Sequence, residues 1–135
     1  MILVIDANVV IAALIKKGKT RELIINGDFH LVAPDFIKEE ITKHSEYVSK
    51  KAHLSKKEFN LLLSLIFQKI EIMPINEYKS ELPKAKVIIK EDLKDAEYVA
   101  CYLALKCDGI WTNDPDYNDK PELIIIKTEY LLKLM

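Results

Sequence analysis

Apolar residues fall along this chain in short runs and in longer periodic stretches. The run at 1–5 (MILVI) is continuous and rich in β-branched side chains, which suits a central strand covered on both faces, and 29–33, 70–73, 110–112 and 123–126 read as further strands. Residues 8–16 (NVVIAALIK) are too long and too uniformly apolar for another strand so soon after Asp6, and read as a buried helix. A second helix is expected at 19–26, with Gly27 just past its end. Pro34 opens a long helix in its first turn, where Phe36, Ile37, Ile41, His44 and Val48 recur at helical spacing. Ser55 with Glu58 three positions later is a capping box that starts a helix running to Phe67. Pro74 stops the strand at 70–73, and Pro83 must kink or split a helix over 76–89. Asp92 caps a helix reaching to about Cys107, residues 114–121 form a polar turn, and 128–135 form a last helix. Strands separated by helices predict an α/β sandwich on a mostly parallel sheet.

Composition narrows the classes. A chain of 135 residues feeds one core, so residues 1–135 read as a single domain. Half the residues are apolar, enough for that core, and the 30% that are charged keep the surface wet. A net charge of −1 excludes a nucleic-acid binder that works by bulk charge. No apolar run reaches the roughly 18 residues of a membrane span, so no membrane partner is expected. The chain opens directly on a strand-like run without a basic leader, which argues against a signal peptide. Cys101 and Cys107 lie six apart and read as two buried thiols in a reducing cytoplasm. Zinc-ligand spacings are missing.

Acidic residues carry the candidate chemistry. Sites in open parallel sheets lie beyond the carboxyl ends of the strands. Asp6 and Asp114 are each the first charged residue after an apolar run. Either alone is as well explained as a helix N-cap; both together, at the ends of two core strands, are less so. In the helix after Pro34, Glu40 falls inside the apolar stripe while Glu39 falls outside it. A carboxylate on a buried face is costly without a partner, so Glu40 is the informative one. Asp92 is accounted for as an N-cap, while Asp95 beside the Ala96, Val99 and Leu103 face is explained less well.

These residues resemble a PIN domain. The resemblance runs from Asp6 and Asn8 after the first strand, through Pro34 with Glu39, Glu40 and Ile41, to Asp92 and Asp95 ahead of Ala96, Val99 and Ala100. It closes on Trp111, Thr112, Asn113, Asp114 and Asp116, and covers essentially the whole chain in order. It implies a three-layer α/β/α fold with a five-stranded parallel sheet, and a metal-dependent ribonuclease like the VapC-type toxins and other single-domain PIN proteins. Carried over, the metal-binding and catalytic carboxylates are Asp6, Glu40, Asp95 and Asp114, with Asp116 an occasional fifth. Asn8 and Thr112 support them, and Asp92 shares or replaces the role of Asp95. The implied partners are RNA, a cognate antitoxin or other protein, and a second copy in a homodimer.

Four like charges in one pit cannot all stay ionised without a cation, and an oxygen-only donor set selects Mg²⁺ or Mn²⁺. Such an ion lowers the pKa of a bound water for attack on phosphorus. No Ser/His/Asp or Cys/His set is spaced for covalent catalysis, and His30, His44 and His53 read as structural or surface residues. Setting the four acids aside from the 21 leaves 17 against 20 basic residues, a mildly positive remainder. Lys16, Lys17 and Lys19 with Arg21, and Lys50, Lys51, Lys56 and Lys57, are candidate contacts to the rest of a strand or simply solvated faces. Among the aromatics that could stack bases, Tyr117 is the best exposed candidate and Trp111 reads as core. The competing reading is a non-catalytic α/β domain that binds RNA or a partner protein, its acids serving as helix caps. A small-molecule phosphatase is less favoured, because no Gly-rich phosphate loop is present.

Overall fold

The computed structural model describes residues 1–90 and 92–135. Its centre is a five-stranded, all-parallel sheet of β1 (Ile2–Ile5), β2 (His30–Pro34), β3 (Ile70–Met73), β4 (Gly109–Trp111) and β5 (Ile125–Ile126), in the order β3-β2-β1-β4-β5. The chain works outward from β1 to β3 on one side, then returns to lay β4 and β5 on the other. β1 is therefore central, and its carboxyl end is the crevice where loops diverge. Leu3, Val4 and Ile5 are fully buried. Neighbouring strand residues face opposite ways, so the sheet is covered on both faces.

α7 (Asp95–Leu105) lies across β1, β2 and β4 and carries α6 (Leu82–Ile89) against it. The other layer gathers around α1 (Ala7–Ile15), which packs against α2 (Lys19–Asn26), α3 (Phe36–Lys43), α4 (Ser45–Ala52) and α5 (Lys56–Phe67). α8 (Thr128–Lys133) rests on α2. This is the expected α/β architecture. Gly109 opens β4 where a Cβ would stand 2.6 Å from Ile126 Cγ1, so only glycine lets β5 approach this closely.

Several boundaries differ from the pattern. Pro34 ends β2 instead of opening a helix: its missing N–H costs nothing there, and the residue after it, Asp35, donates its own amide to Met73 O. The long helix expected after it is two helices, broken at His44, which is exposed and leaves Ile37, Ile41 and Val48 as the buried stripe. Pro83 does split its segment: two 3₁₀ turns, Ile75–Glu77 and Lys79–Glu81, precede α6, and the proline sits in the first helical turn. The capping box forms in full, with Glu58 N–H on Ser55 Oγ at 3.1 Å and Ser55 N–H on Glu58 Oε1 at 2.9 Å. Asp92 does not cap α7. Its Oδ1 accepts from Lys94 N–H at 2.9 Å, closing a turn before the helix proper begins at Asp95. Glu91, which begins that acidic run, lies outside the described residues. α7 ends at Leu105, where Lys106 turns left-handed, so Cys107 lies beyond the helix. Both thiols are buried and free, and burial pushes Cys101 up to about 12 and Cys107 up to about 11, which makes them inert.

Candidate functional site

At the carboxyl end of β4, three consecutive side chains tie the sheet to three different places. The Thr112 hydroxyl donates to Asp6 Oδ2 at 2.7 Å and accepts from Asp114 N–H at 3.1 Å. Asn113 accepts from Thr128 N–H at 3.2 Å and donates to Thr128 Oγ1 at 3.0 Å, which anchors α8. Asp114 Oδ1 accepts from Asp116 N–H at 2.9 Å, holding the 3₁₀ turn Pro115–Tyr117. That turn brings Asp116 back over the start of α7.

Asp6 stands at the N-cap position of α1 but makes no well-formed capping bond there. It is only 3% exposed. Burial pushes its carboxyl up to about 6, and the charges of Glu40 and Asp114 add to the rise. The Thr112 hydroxyl and the Asn8 amide pull the other way. Asp95, in the first turn of α7, is buried as well. Burial, then the charges of Asp6, Asp92 and Asp114, push it up to about 7, opposed by the phenol of Tyr117. Tyr117 lies close enough to ease Asp95 in this way, yet neither its hydroxyl nor Asp95 Oδ2 reaches a partner of good hydrogen-bond geometry. An ionised oxygen buried without a partner is costly, and an ion is the usual remedy.

Glu40 reaches the same region from α3. It is half-buried while Glu39 is exposed, as the periodicity predicts. Its Oε1 accepts the Tyr98 hydroxyl at 2.5 Å. Tyr98 is one turn after Asp95 on α7, so both side chains stand on the face that looks toward β1. Its role as Glu40's donor was missed in the sequence, although the spacing of three from Asp95 is visible there.

Asp6 feels the charges of Glu40 and Asp114, and Asp95 those of Asp6 and Asp114, so the four expected acids share a neighbourhood without forming, among the described residues, a group with ligand oxygens within 4.8 Å of one another. The tightest carboxylate group is a different one: one oxygen each from Asp92, Asp95 and Asp116 lie within 4.8 Å of one another. Asp92 and Asp116, expected at the margin, are therefore central to the acidic mouth. Asn8 is exposed and lines, with Val9, Ala12, Asn113 and Pro115, a concavity of about 490 Å³ beside Asp114.

Two expected strand contacts fail. Tyr117 is fully buried beneath the acids instead of exposed, because the Asp114-capped turn folds its ring inward. Arg21 is committed to the fold: Nε donates to Ala13 O at 2.8 Å and Nη2 to Leu14 O at 3.3 Å, covering the open carbonyls at the end of α1. Lys16 and Lys17 remain exposed.

Among the described residues no helix is long and apolar enough to cross a membrane. No curated protein matches the sequence. The family model of the PIN domain, a nuclease family, matches residues 4–120, from β1 through the turn that carries Asp114 and Asp116. With that match spanning most of its length, this chain belongs to the PIN domain family.

Proposed function

We propose that the protein is a divalent-metal-dependent endoribonuclease that hydrolyses phosphodiester bonds of single-stranded RNA. The observation that carries this reading is Asp95 Oδ2, a buried carboxylate oxygen with no partner, facing acids that raise its proton affinity. The donor set is all oxygen, which fits Mg²⁺ or Mn²⁺. Asp6, Asp95 and Asp114, with Asp92 and Asp116 at the mouth, are the residues that would hold it. Bound there, the ion supplies charge neutralisation at a phosphate oxygen and a water of lowered pKa.

The chain's own groups do the rest. Thr112 fixes Asp6 Oδ2 and the Asp114 backbone together, so two carboxylates keep one orientation. Tyr98 holds Glu40 Oε1, leaving Oε2 to accept the proton of the attacking water. The buried ring of Tyr117 seals the floor against bulk water.

The test is hydrolysis of an unstructured RNA in Mg²⁺, in Mn²⁺ and in chelator, for the wild type and for Asp6→Asn. Metal-dependent cleavage lost in the variant supports the reading; an unchanged rate in Asp6→Asn defeats it. The second reading, a non-catalytic domain binding RNA or a partner protein, draws on Asp92 and Asp114, which do cap turns. It predicts no effect of Mn²⁺ on melting. A toxin role follows from the family resemblance and predicts growth arrest on expression that a cognate partner relieves.

A further inference from the structure

The two lysine clusters of the sequence, which lie more than thirty positions apart, meet in space. Lys16 and Lys19, at the junction of α1 and α2, and Lys51, near the end of α4, line one concavity of about 530 Å³ with Ala12, Ile15 and Thr20. All three lysines are exposed, and among the described residues none has a carboxylate partner. Three lysines without a carboxylate partner along one hollow make it favourable to an anion. Beside them Tyr47 is 58% exposed. Lys51 Nζ sits 3.2 Å from its hydroxyl and 5.6 Å from its ring centre, so an aromatic face borders the basic hollow.

This hollow adjoins the one beside Asp114. Ala12 lines both it and the concavity that holds Asn8 and Asp114. Asn8 and Ala12 on α1 and Lys16 at its C-cap follow one another at intervals of four, so one outward face runs from the hollow beside Asp114 to the lysines. Eight residues at 1.5 Å cover about 12 Å. That is about three to four nucleotides of a stacked strand at ~3.4 Å each. The small Ala12 leaves the middle of the path unobstructed.

We propose that this face of α1 is the track of the nucleic-acid substrate, with Lys16, Lys19 and Lys51 holding strand phosphates about three to four nucleotides from the scissile bond and Tyr47 stacking a base. The proposal rests on the ribonuclease reading for its direction along α1. The occupant is single-stranded nucleic acid: the combination of lysines lacking carboxylate partners with an exposed aromatic ring suits flexible phosphates and unpaired bases. An overall charge of −1 makes the attraction local to this face.

The test separates binding from cleavage. Anisotropy of a labelled single-stranded RNA of about 12 nucleotides, in chelator, is measured across salt for the wild type, for the triple variant K16Q/K19Q/K51Q, and for the control K84Q/K86Q/K90Q on α6 and its C-cap. The first variant should bind at least about tenfold more weakly, with a salt slope shallower by about 2, since each phosphate contact contributes ~0.7. The control should match the wild type. In Mn²⁺ the wild type should cut the longer RNA more efficiently than a dinucleotide, and the first variant should lose that preference through KM. Equal losses in both triple variants, no RNA binding by the wild type, or equally tight binding of an acidic peptide of the same charge would each overturn the track. A wild type that binds RNA through these lysines but never cuts it upholds the anion site and defeats the catalytic reading instead.

Discussion

The Tyr98 hydroxyl, on the helix that carries Asp95, donates to Glu40 Oε1 from a helix on the opposite side of β1, and the two meet at 2.5 Å. This bond fixes the acid contributed by α3. Burial and the charge of Glu40 raise the proton affinity of the phenol far above the ordinary tyrosine range, so the donor stays protonated at any working pH. Tyr98→Phe should lower stability by about 1 kcal/mol, the worth of one such bond, and should slow cleavage several-fold while leaving Mn²⁺ affinity nearly unchanged. Calorimetric metal titration beside a cleavage assay checks it; an unchanged cleavage rate would show that Glu40 does not depend on the phenol.

Thr112 serves two masters with one hydroxyl. Thr112→Val keeps the shape but strands Asp6 Oδ2 and the Asp114 amide, so unfolding by denaturant should show a loss of about 1–3 kcal/mol. Thr112→Ser should restore most of it, which separates the hydroxyl from the methyl.

Metal-free stability should fall as pH rises. Asp6 and Asp95 bind protons more tightly folded, at about 6 and about 7, than their ordinary value of 3.8. Between those limits the native state carries more protons than the unfolded one. The contribution of the two acids is therefore full below the ordinary value of 3.8 and is lost as pH rises through about 6 and about 7. A tenfold difference in proton affinity between the folded and unfolded states is worth about 1.4 kcal/mol for a wholly desolvated group, and less where water reaches the carboxyl. Melting curves in chelator from pH 5 to 8 should show the decline, and Asp95→Asn should flatten its upper part.

Mn²⁺ should reverse that trend. An ion that binds only the folded pit adds about 2.7 kcal/mol at a hundred times its dissociation constant. The gain should grow with pH as the carboxylates are freed of protons, and should vanish in Asp95→Asn. A melting temperature indifferent to Mn²⁺ at pH 8 would count against a metal centre.

Arg21→Gln should cost stability and leave RNA binding nearly untouched. The guanidinium covers Ala13 O and Leu14 O, so its loss should lower the melting temperature by several degrees. An RNA affinity that falls as far as in the lysine variant would return Arg21 to the strand-binding set.

How far the sequence could be read depended on the range of the interaction involved. The β1 run, the capping box at Ser55 and the placement of Glu40 over Glu39 are local or periodic, and all are legible. Pro34 misleads because a proline at the first turn of a helix and one on the last residue of a strand look alike until the neighbouring strand is known. Tyr117 misleads for a related reason. A residue in a polar turn is exposed by default, and only the bond from Asp116 N–H to Asp114 Oδ1 turns this ring inward. Arg21 sits among lysines in sequence but belongs to α1 by contact. The grouping of Asp92, Asp95 and Asp116 joins a helix start to a loop, and no spacing rule connects them.

The return of the chain to the other side of β1 also dictates when the pit can exist. Asp6 donates its backbone amide to Trp111 O and receives its side-chain bond from Thr112, both more than a hundred positions downstream. A chain that has not yet supplied β4 leaves β1 without its partner on that side, and Asp6 without either of these bonds. Assembly of the acids is thereby postponed to the closing stage of synthesis, and a prematurely terminated product is left without the pit and with an unprotected edge prone to self-association.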